Sequence, residues 1–455
     1  MKNRWIFSLI ILILLSGCAR NVKVEKAPAN IPAQQLKIEE KIEKPPEHPM
    51  PNIDFSNIPL EIKNILPLEG KFYPYNSYSP KISPDENYIS FEANQIEYKK
   101  IMIYKLEAEK RDNKTVIISK RAKEIDLNQQ KANQSIENLI ESGNLENYNE
   151  SFNYEFNWFP NSRNFIFTSN AGLGEYNLFL GSLEINDPLL EKLQKLLSLK
   201  KIGEYLMLTE GVKKDGQAKV SPDGSKVVFT SGRTGNGDLY LLNLNNGTLR
   251  RLTSTDDTDL YPKWSPDGKN IVFSRGGKYS QDIYIIRDVD GVNEREEPLV
   301  TWFFDDVLPN FSPNGKYISF YTTYNLERDP FNTKRWGLMI IPSDGSSPKA
   351  GKELTKYFAV PNVIKDNSQG VAWFPDNENI ILAKNIDSDY NPIYIYNIKT
   401  KKTYFIESGT NINHDFIVSP HGLVCFRAQY FGWDRIFLAN TSYFEVYLDE
   451  VKKLK

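Results

Sequence analysis

Between Pro84 and Pro420 the chain alternates short apolar runs with clusters of Gly, Pro, Asn and Asp. The stretch from Gln217 to Thr253 shows the unit. Gln217–Ser221 predicts a short strand, and Pro222-Asp223-Gly224-Ser225 a tight turn in which Pro fixes φ and Gly takes φ > 0. Lys226–Thr230 (KVVFT) predicts a second strand, and Leu239–Leu244 a third after a Gly-rich loop. Asn245-Asn246-Gly247 is a hairpin signal, and Leu249–Thr253 closes the unit as a fourth strand. The next unit repeats this order: IVFS, a Gly-rich loop, DIYIIR, Asp288-Val289-Asp290-Gly291, then PLVT.

The strand-turn core occurs seven times: Ile82-Ser83-Pro84-Asp85, Trp158-Phe159-Pro160-Asn161, Val220-Ser221-Pro222-Asp223, Trp264-Ser265-Pro266-Asp267, Phe311-Ser312-Pro313-Asn314, Trp373-Phe374-Pro375-Asp376 and Val418-Ser419-Pro420-His421. Successive prolines are 76, 62, 44, 47, 62 and 45 residues apart. The shorter spacings match a four-stranded propeller blade of ~40–45 residues. One such sheet cannot bury both faces, whereas blades stacked around an axis can. The expected fold is all-β: a β-propeller of seven four-stranded blades, or six if the divergent first copy forms none. The last copy lacks an obvious fourth strand. Tyr443–Leu448 or the segment near Ile58–Ile65 is expected to supply it.

The segments RLTSTDDTDLYPKWSPDGKNIVFS and AKVSPDGSKVVFTSGRTGNGDLYLLNL resemble the repeats of TolB-type β-propellers, over about residues 70–440. The motif is specific to the fold and much less so to function. The resemblance implies an envelope partner such as a peptidoglycan-associated lipoprotein. Two features depart from it: TolB proteins are soluble and place an α/β domain ahead of the propeller.

Three insertions account for the long spacings. Residues 120–145 carry Ile125, Ala132, Ile136, Leu139 and Ile140 at near-helical spacing. Asp187 followed by Pro188 predicts a capped helix with the stripe Leu189, Leu190, Leu193, Leu196 and Leu197, packed on the propeller edge or docking a partner. Tyr321–Lys334 is polar and predicts an enlarged loop.

The N-terminus adds an address. Lys2 and Arg4 precede an apolar run from Trp5 to Leu15, too short to span a bilayer, and Leu15-Ser16-Gly17-Cys18 follows. This resembles the lipobox of bacterial lipoproteins, which implies diacylglycerol on Cys18 after removal of residues 1–17. Residues 18–60 hold seven prolines among polar residues and predict an extended tether; residues 61–455 form the propeller domain. Ala19 in place of Asp implies, by the same resemblance, the periplasmic face of the outer membrane. Cleavage leaves 54 Lys+Arg against 58 Asp+Glu, a net charge of −4, and no global pull on nucleic acid. Only Cys425 then remains unmodified, in the apolar run LVCF, so a disulfide framework is excluded and a buried thiol expected.

The chain has no G-x-S-x-G, H-E-x-x-H, Walker or dinucleotide signature. With three histidines, a His-rich metal or acid–base centre is not expected, nor is any cofactor. Asp387-Ser388-Asp389-Tyr390-Asn391 opens like a Ca²⁺ loop, but Pro392 and Ile398 break the pattern. Asp256, Asp257, Asp259, Asp305, Asp306 and Asp415 precede inner strands, while Arg233, Arg275, Lys384 and Arg427 follow second strands. Both sets surround one channel mouth, as inter-blade ion pairs or as a rim for a polar peptide or glycan. Trp302, Phe304, Tyr430 and Trp433, with Asp305, Asp306 and Arg427, are the expected rim contacts, since aromatic anchors dominate interfaces. The leading reading is a membrane-anchored, protein-binding envelope propeller. A polysaccharide-binding or -cleaving protein and a structural subunit of an envelope complex are the alternatives.

Overall fold

The computed structural model describes residues 63–64, 76–94, 99–111, 114–125, 127, 152–171, 175–210, 213–276, 280–324, 336–366, 370–386, 390–406, 408, 410–430 and 433–440. Cys18, the tether, residues 128–145, 325–334, 387–389 and the Tyr443–Leu448 segment lie outside them. The described residues form seven antiparallel sheets, one for each copy of the turn motif. Each begins with an inner strand: Asn76–Ile82, Asn153–Trp158, Asp215–Val220, Thr258–Trp264, Asp306–Phe311, Ala372–Trp373 and Asn411–Val418. The inner strand of blade seven touches that of blade one, which closes the ring.

The apolar residues pack between blades. Phe159, Ile166 and Leu178 of blade two meet Ala218, Val227 and Phe229 of blade three, all buried. Each of the larger of these side chains contributes roughly 1.5–3 kcal/mol on burial. The seam between blades seven and one holds Cys425, fully buried beside Leu438, Phe91 and Met102. Burial pushes its thiol well above the ordinary range.

Every inner strand carries the same defect. The residue five before the motif proline has positive φ: Ser79, Glu155, Gln217, Tyr261, Leu308, Gly370 and Asp415. Pairing with the second strand shifts register there in blades one to five and seven. This is a β-bulge, which bends and twists the strand. At Gly370 a Cβ would lie 2.8 Å from the Leu308 carbonyl oxygen, so glycine alone fits.

The turns after the inner strands are held by their own side chains. Ser221 Oγ donates to Asp223 Oδ1 at 2.5 Å, and the Lys226 amide donates to Ser221 Oγ at 2.9 Å. Ser83–Asp85, Ser265–Asp267 and Ser312–Asn314 repeat the first bond. Blade seven has His421 at the acidic position. Glu86 of blade one takes over: its carboxylate accepts from Ser419 Oγ and, at 3.0 Å, from the His421 amide.

Two expectations need correction. Residues 120–125, where the near-helical spacing begins, are strand, because Lys114–Ile125 pairs along Lys99–Arg111 and sets Ile125 opposite Ile101 in the core. Blade two has five strands, since Lys200–Ile202 adds an edge to Tyr205–Met207. Between the two expected sources of blade seven's fourth strand, Lys63–Asn64 fills the place, pairing with Leu438 and Phe437. The capped helix forms as expected. Helix α1, Pro188–Leu197, has Asp187 accepting from the Leu189 and Leu190 amides at 2.9 and 3.1 Å. Leu189, Leu190, Leu193 and Leu197 pack on blades two and three, whereas Leu196 of the expected stripe is exposed.

Replacing Glu86 by Ala removes the acceptor for a buried hydroxyl and a turn amide at the ring closure. Chemical denaturation is expected to show a loss of about 1–2 kcal/mol, with Glu86→Gln recovering most of it. Equal stability of Glu86→Ala and the parent would show that the closure does not depend on this contact.

Candidate functional site

Alternation of strand direction sorts the loops. The turns after first and third strands open on one face, the turn face. The loops after second and fourth strands open on the other, the loop face. The expected rim lies on the loop face.

There the charges are paired within blades rather than between them, because the first residues of an inner strand lie opposite the last of its neighbour. Asp259 accepts from Arg275 Nε at 2.7 Å, and the same guanidinium reaches Glu296 at 2.5 Å. Arg275 also stacks over Tyr284, 4.4 Å from its centroid. Asp215 pairs with Arg233 at 3.1 Å, and Asp415 with Arg427 at 2.9 Å. Arg427 further meets Asp434 at 3.2 Å and lies over Tyr78 of blade one. Lys384 sits over Tyr394. Asp256 is exposed and Asp257 half-buried. His414 is held down to about 4, first by burial and then by Arg427.

The aromatic loop before blade five divides its residues. Trp302 is half-buried and its indole N–H donates to the buried Asp306 at 2.6 Å. Burial pushes the Asp306 carboxyl well above the usual range. Phe304 is half-buried against Trp302 and Tyr324, with centroids 4.8 and 5.2 Å away. Asp305 is half-buried, its amide donating to Thr323 Oγ1 at 2.8 Å. Phe303, between them, is 80% exposed. Sequence reasoning named its neighbours and passed it over, since exposure within a W-F-F run is not encoded locally. The backbones of Tyr430 and Trp433 pair across a hairpin on this face; their side chains lie outside the described residues.

The turn face holds a cavity of about 460 Å³ in the axis of the ring, its walls built from the inner strands and from Pro84, Pro222, Pro266 and Pro313. The residue three before each proline recurs around the axis: Lys81, Asn157, Lys219, Lys263, Asn310, Ala372 and Ile417. Blades one to five thus supply polar groups and blades six and seven apolar ones. Lys219 Nζ donates to Asn157 Oδ1 at 3.1 Å. Burial lowers Lys219 to about 8 and holds Lys81 and Lys263 well below the ordinary lysine range, with Lys219 adding repulsion to both. The indoles of Trp158 and Trp264 reach the same cavity, whereas Trp373 is more deeply buried there. Among the described residues no group of three or more His, Cys, Asp or Glu side chains is placed to hold a metal ion.

Residues 197–345, which span blades three and four and most of blade five, match the TolB beta propeller domain family. No curated protein sequence matches the chain. Among solved structures it is similar to TolB from Acinetobacter baumannii (13% identity, TM-score 0.42, 75% of this chain and 65% of that one). It is also similar to a puromycin-hydrolyzing peptidase of Mycobacterium tuberculosis (10%, 0.53, 83% and 55%). A third is oligogalacturonate lyase from Vibrio parahaemolyticus (11%, 0.51, 84% and 97%). The chain therefore spans less than two thirds of the first TolB and of the peptidase. At these identities the likeness is one of fold.

Trp302→Phe takes the indole donor from Asp306 and is expected to cost about 1–3 kcal/mol. Phe303→Ala, at an exposed site, is expected to stay within about 0.5 kcal/mol of the parent. Urea titrations of the two variants check the contrast. Equal losses would show that Phe303 also serves packing.

Proposed function

We propose that this chain, whose middle blades carry the TolB-type propeller repeat, is a lipid-anchored binding protein of the cell envelope. Its partner is an envelope protein, such as a peptidoglycan-associated lipoprotein, engaged at the loop face. The observation that carries this reading is Phe303: a large apolar side chain, 80% exposed, between two neighbours fixed in the fold. A loop whose flanks are pinned presents its anchor with little ordering cost, and aromatic anchors carry most interface energy. The paired charges around the channel mouth supply orientation rather than affinity. Leu15-Ser16-Gly17-Cys18 supports the anchor, and the proline-rich stretch after it supports a tether. Stable attachment relies on more than one acyl chain.

Two measurements test this. Cys18→Ser is expected to move the protein from the membrane fraction to the soluble fraction or to stall its processing. Unchanged membrane fractionation with cleavage intact would remove the lipid anchor from the reading. Cross-linking in intact envelopes, followed by capture, is expected to recover one dominant protein with the parent and severalfold less with Phe303→Ala. Capture unaffected by Phe303→Ala would move the partner off this rim. Turnover of an acidic oligosaccharide by the purified chain would replace the binding reading with an enzymatic one.

A further inference from the structure

We propose that the cavity on the turn face binds an organic anion with a short apolar body, its carboxylate or phosphate held by Lys81 and Lys263. This does not depend on the loop-face partner. The two lysines line the cavity from blades one and four, and solvent reaches them only partly. Neither makes a hydrogen bond or ion pair with any described residue. An ammonium so placed without a partner is costly, and surface lysines elsewhere are free to point into water. Lys219, from the intervening blade three, adds a third positive group bonded to Asn157 at 3.1 Å.

The carboxylates that face Lys81 form no ion pair with it, because other donors engage them. Glu92 accepts from the Glu155 amide at 2.9 Å, and Glu155 accepts from the Gln217 amide at 2.6 Å and from Thr168 Oγ1 at 2.9 Å. Asp415 is paired with Arg427 at 2.9 Å. Burial further raises Glu92 to about 7, so much of it is uncharged near neutrality. The wall contributed by blades six and seven, with Val371, Ala372 and Ile417, carries no charged group and fits an apolar body. A volume of about 460 Å³ lies in the range of small-ligand pockets. Because Lys81 and Lys263 are depressed when the site is empty, an anion that restores their charge is taken up with protons. Glu92 and Asp415 face Lys81, and Lys219 faces both lysines, so all are part of that titration.

The test is calorimetric titration of the full-length chain in nonionic detergent with hexanoate, hexyl phosphate, inorganic phosphate and hexylammonium. Hexanoate or hexyl phosphate is expected to bind once per chain, at least tenfold tighter than inorganic phosphate, with hexylammonium silent. Binding is expected to tighten as pH falls from 9 to 7. Lys81→Gln with Lys263→Gln is expected to weaken it at least tenfold, while Lys263→Arg retains it. Which of the two head groups binds tighter separates a carboxylate from a phosphate source. Binding of inorganic phosphate as tight as hexyl phosphate overturns the apolar half of the proposal. Hexylammonium binding equal to hexanoate, or no anion binding at all, overturns the whole, as does a folded double variant that binds normally. If the double variant does not fold, the comparison of hexanoate with hexylammonium on the parent chain decides.

Discussion

The left-handed residue in each inner strand is the constraint on which the ring depends. A bulge leaves one amide outside the ladder, and a buried amide must find an acceptor. In blades two, three, four and seven the acceptor is a side chain of the preceding blade. Glu92 takes the amide of Glu155, Glu155 that of Gln217, Gln217 that of Tyr261, and Asp366 that of Asp415, over 2.6–2.9 Å. Glu155 and Gln217 are each a bulge residue and an acceptor for the next bulge. The defect in one blade therefore fixes the register of its neighbour. Hydrophobic burial drives the blades together but does not choose their axial offset; directional polar bonds from one blade to the inner strand of the next do.

A ring assembled this way needs special treatment where its last blade meets its first. Blade seven has no acidic residue in its turn, and Glu86 reaches across from blade one to supply one. Lys63–Asn64 adds the outer strand from the opposite end of the chain, and Arg427 covers Tyr78. The seam thus joins residues more than three hundred positions apart through a sheet edge, a turn and a cation–π contact. That is the most entropically demanding closure in the ring, since loop cost rises with separation.

The fold was largely legible because its signals are local. Ser221-Pro222-Asp223-Gly224 forms its turn from its own side chains, and Asp187-Pro188 starts a helix from its own cap. What was not legible depends on what lies opposite. Ile125 sits on a strand because Ile101 faces it, not because of its spacing. Asp259 and Arg275 were recognised as complementary charges, yet their partnership within one blade follows from strand register. The strap of lysines was present in the sequence as PKI, AKV and PKW ahead of three Ser-Pro turns. Its meaning rests on the bulge two residues earlier, which no local pattern announces because Ser79, Gln217 and Tyr261 share no side-chain chemistry.

The two mouths of the ring consequently have opposite character. On the loop face Arg233, Arg275 and Arg427 are each tied to a buried Asp, so that charge is committed to holding first and second strands together. On the turn face Lys81 and Lys263 have no such tie, and the acids facing Lys81 are engaged by the Glu155 amide and by Arg427. Replacing a buried pair by apolar groups is often neutral for stability, but leaving a lone buried charge is not. Unpartnered lysines so placed therefore subtract from the stability of the empty propeller. A ligand that neutralised them would return that free energy as affinity. The same repeat that builds the scaffold thus leaves its unspent charge at one end of the axis.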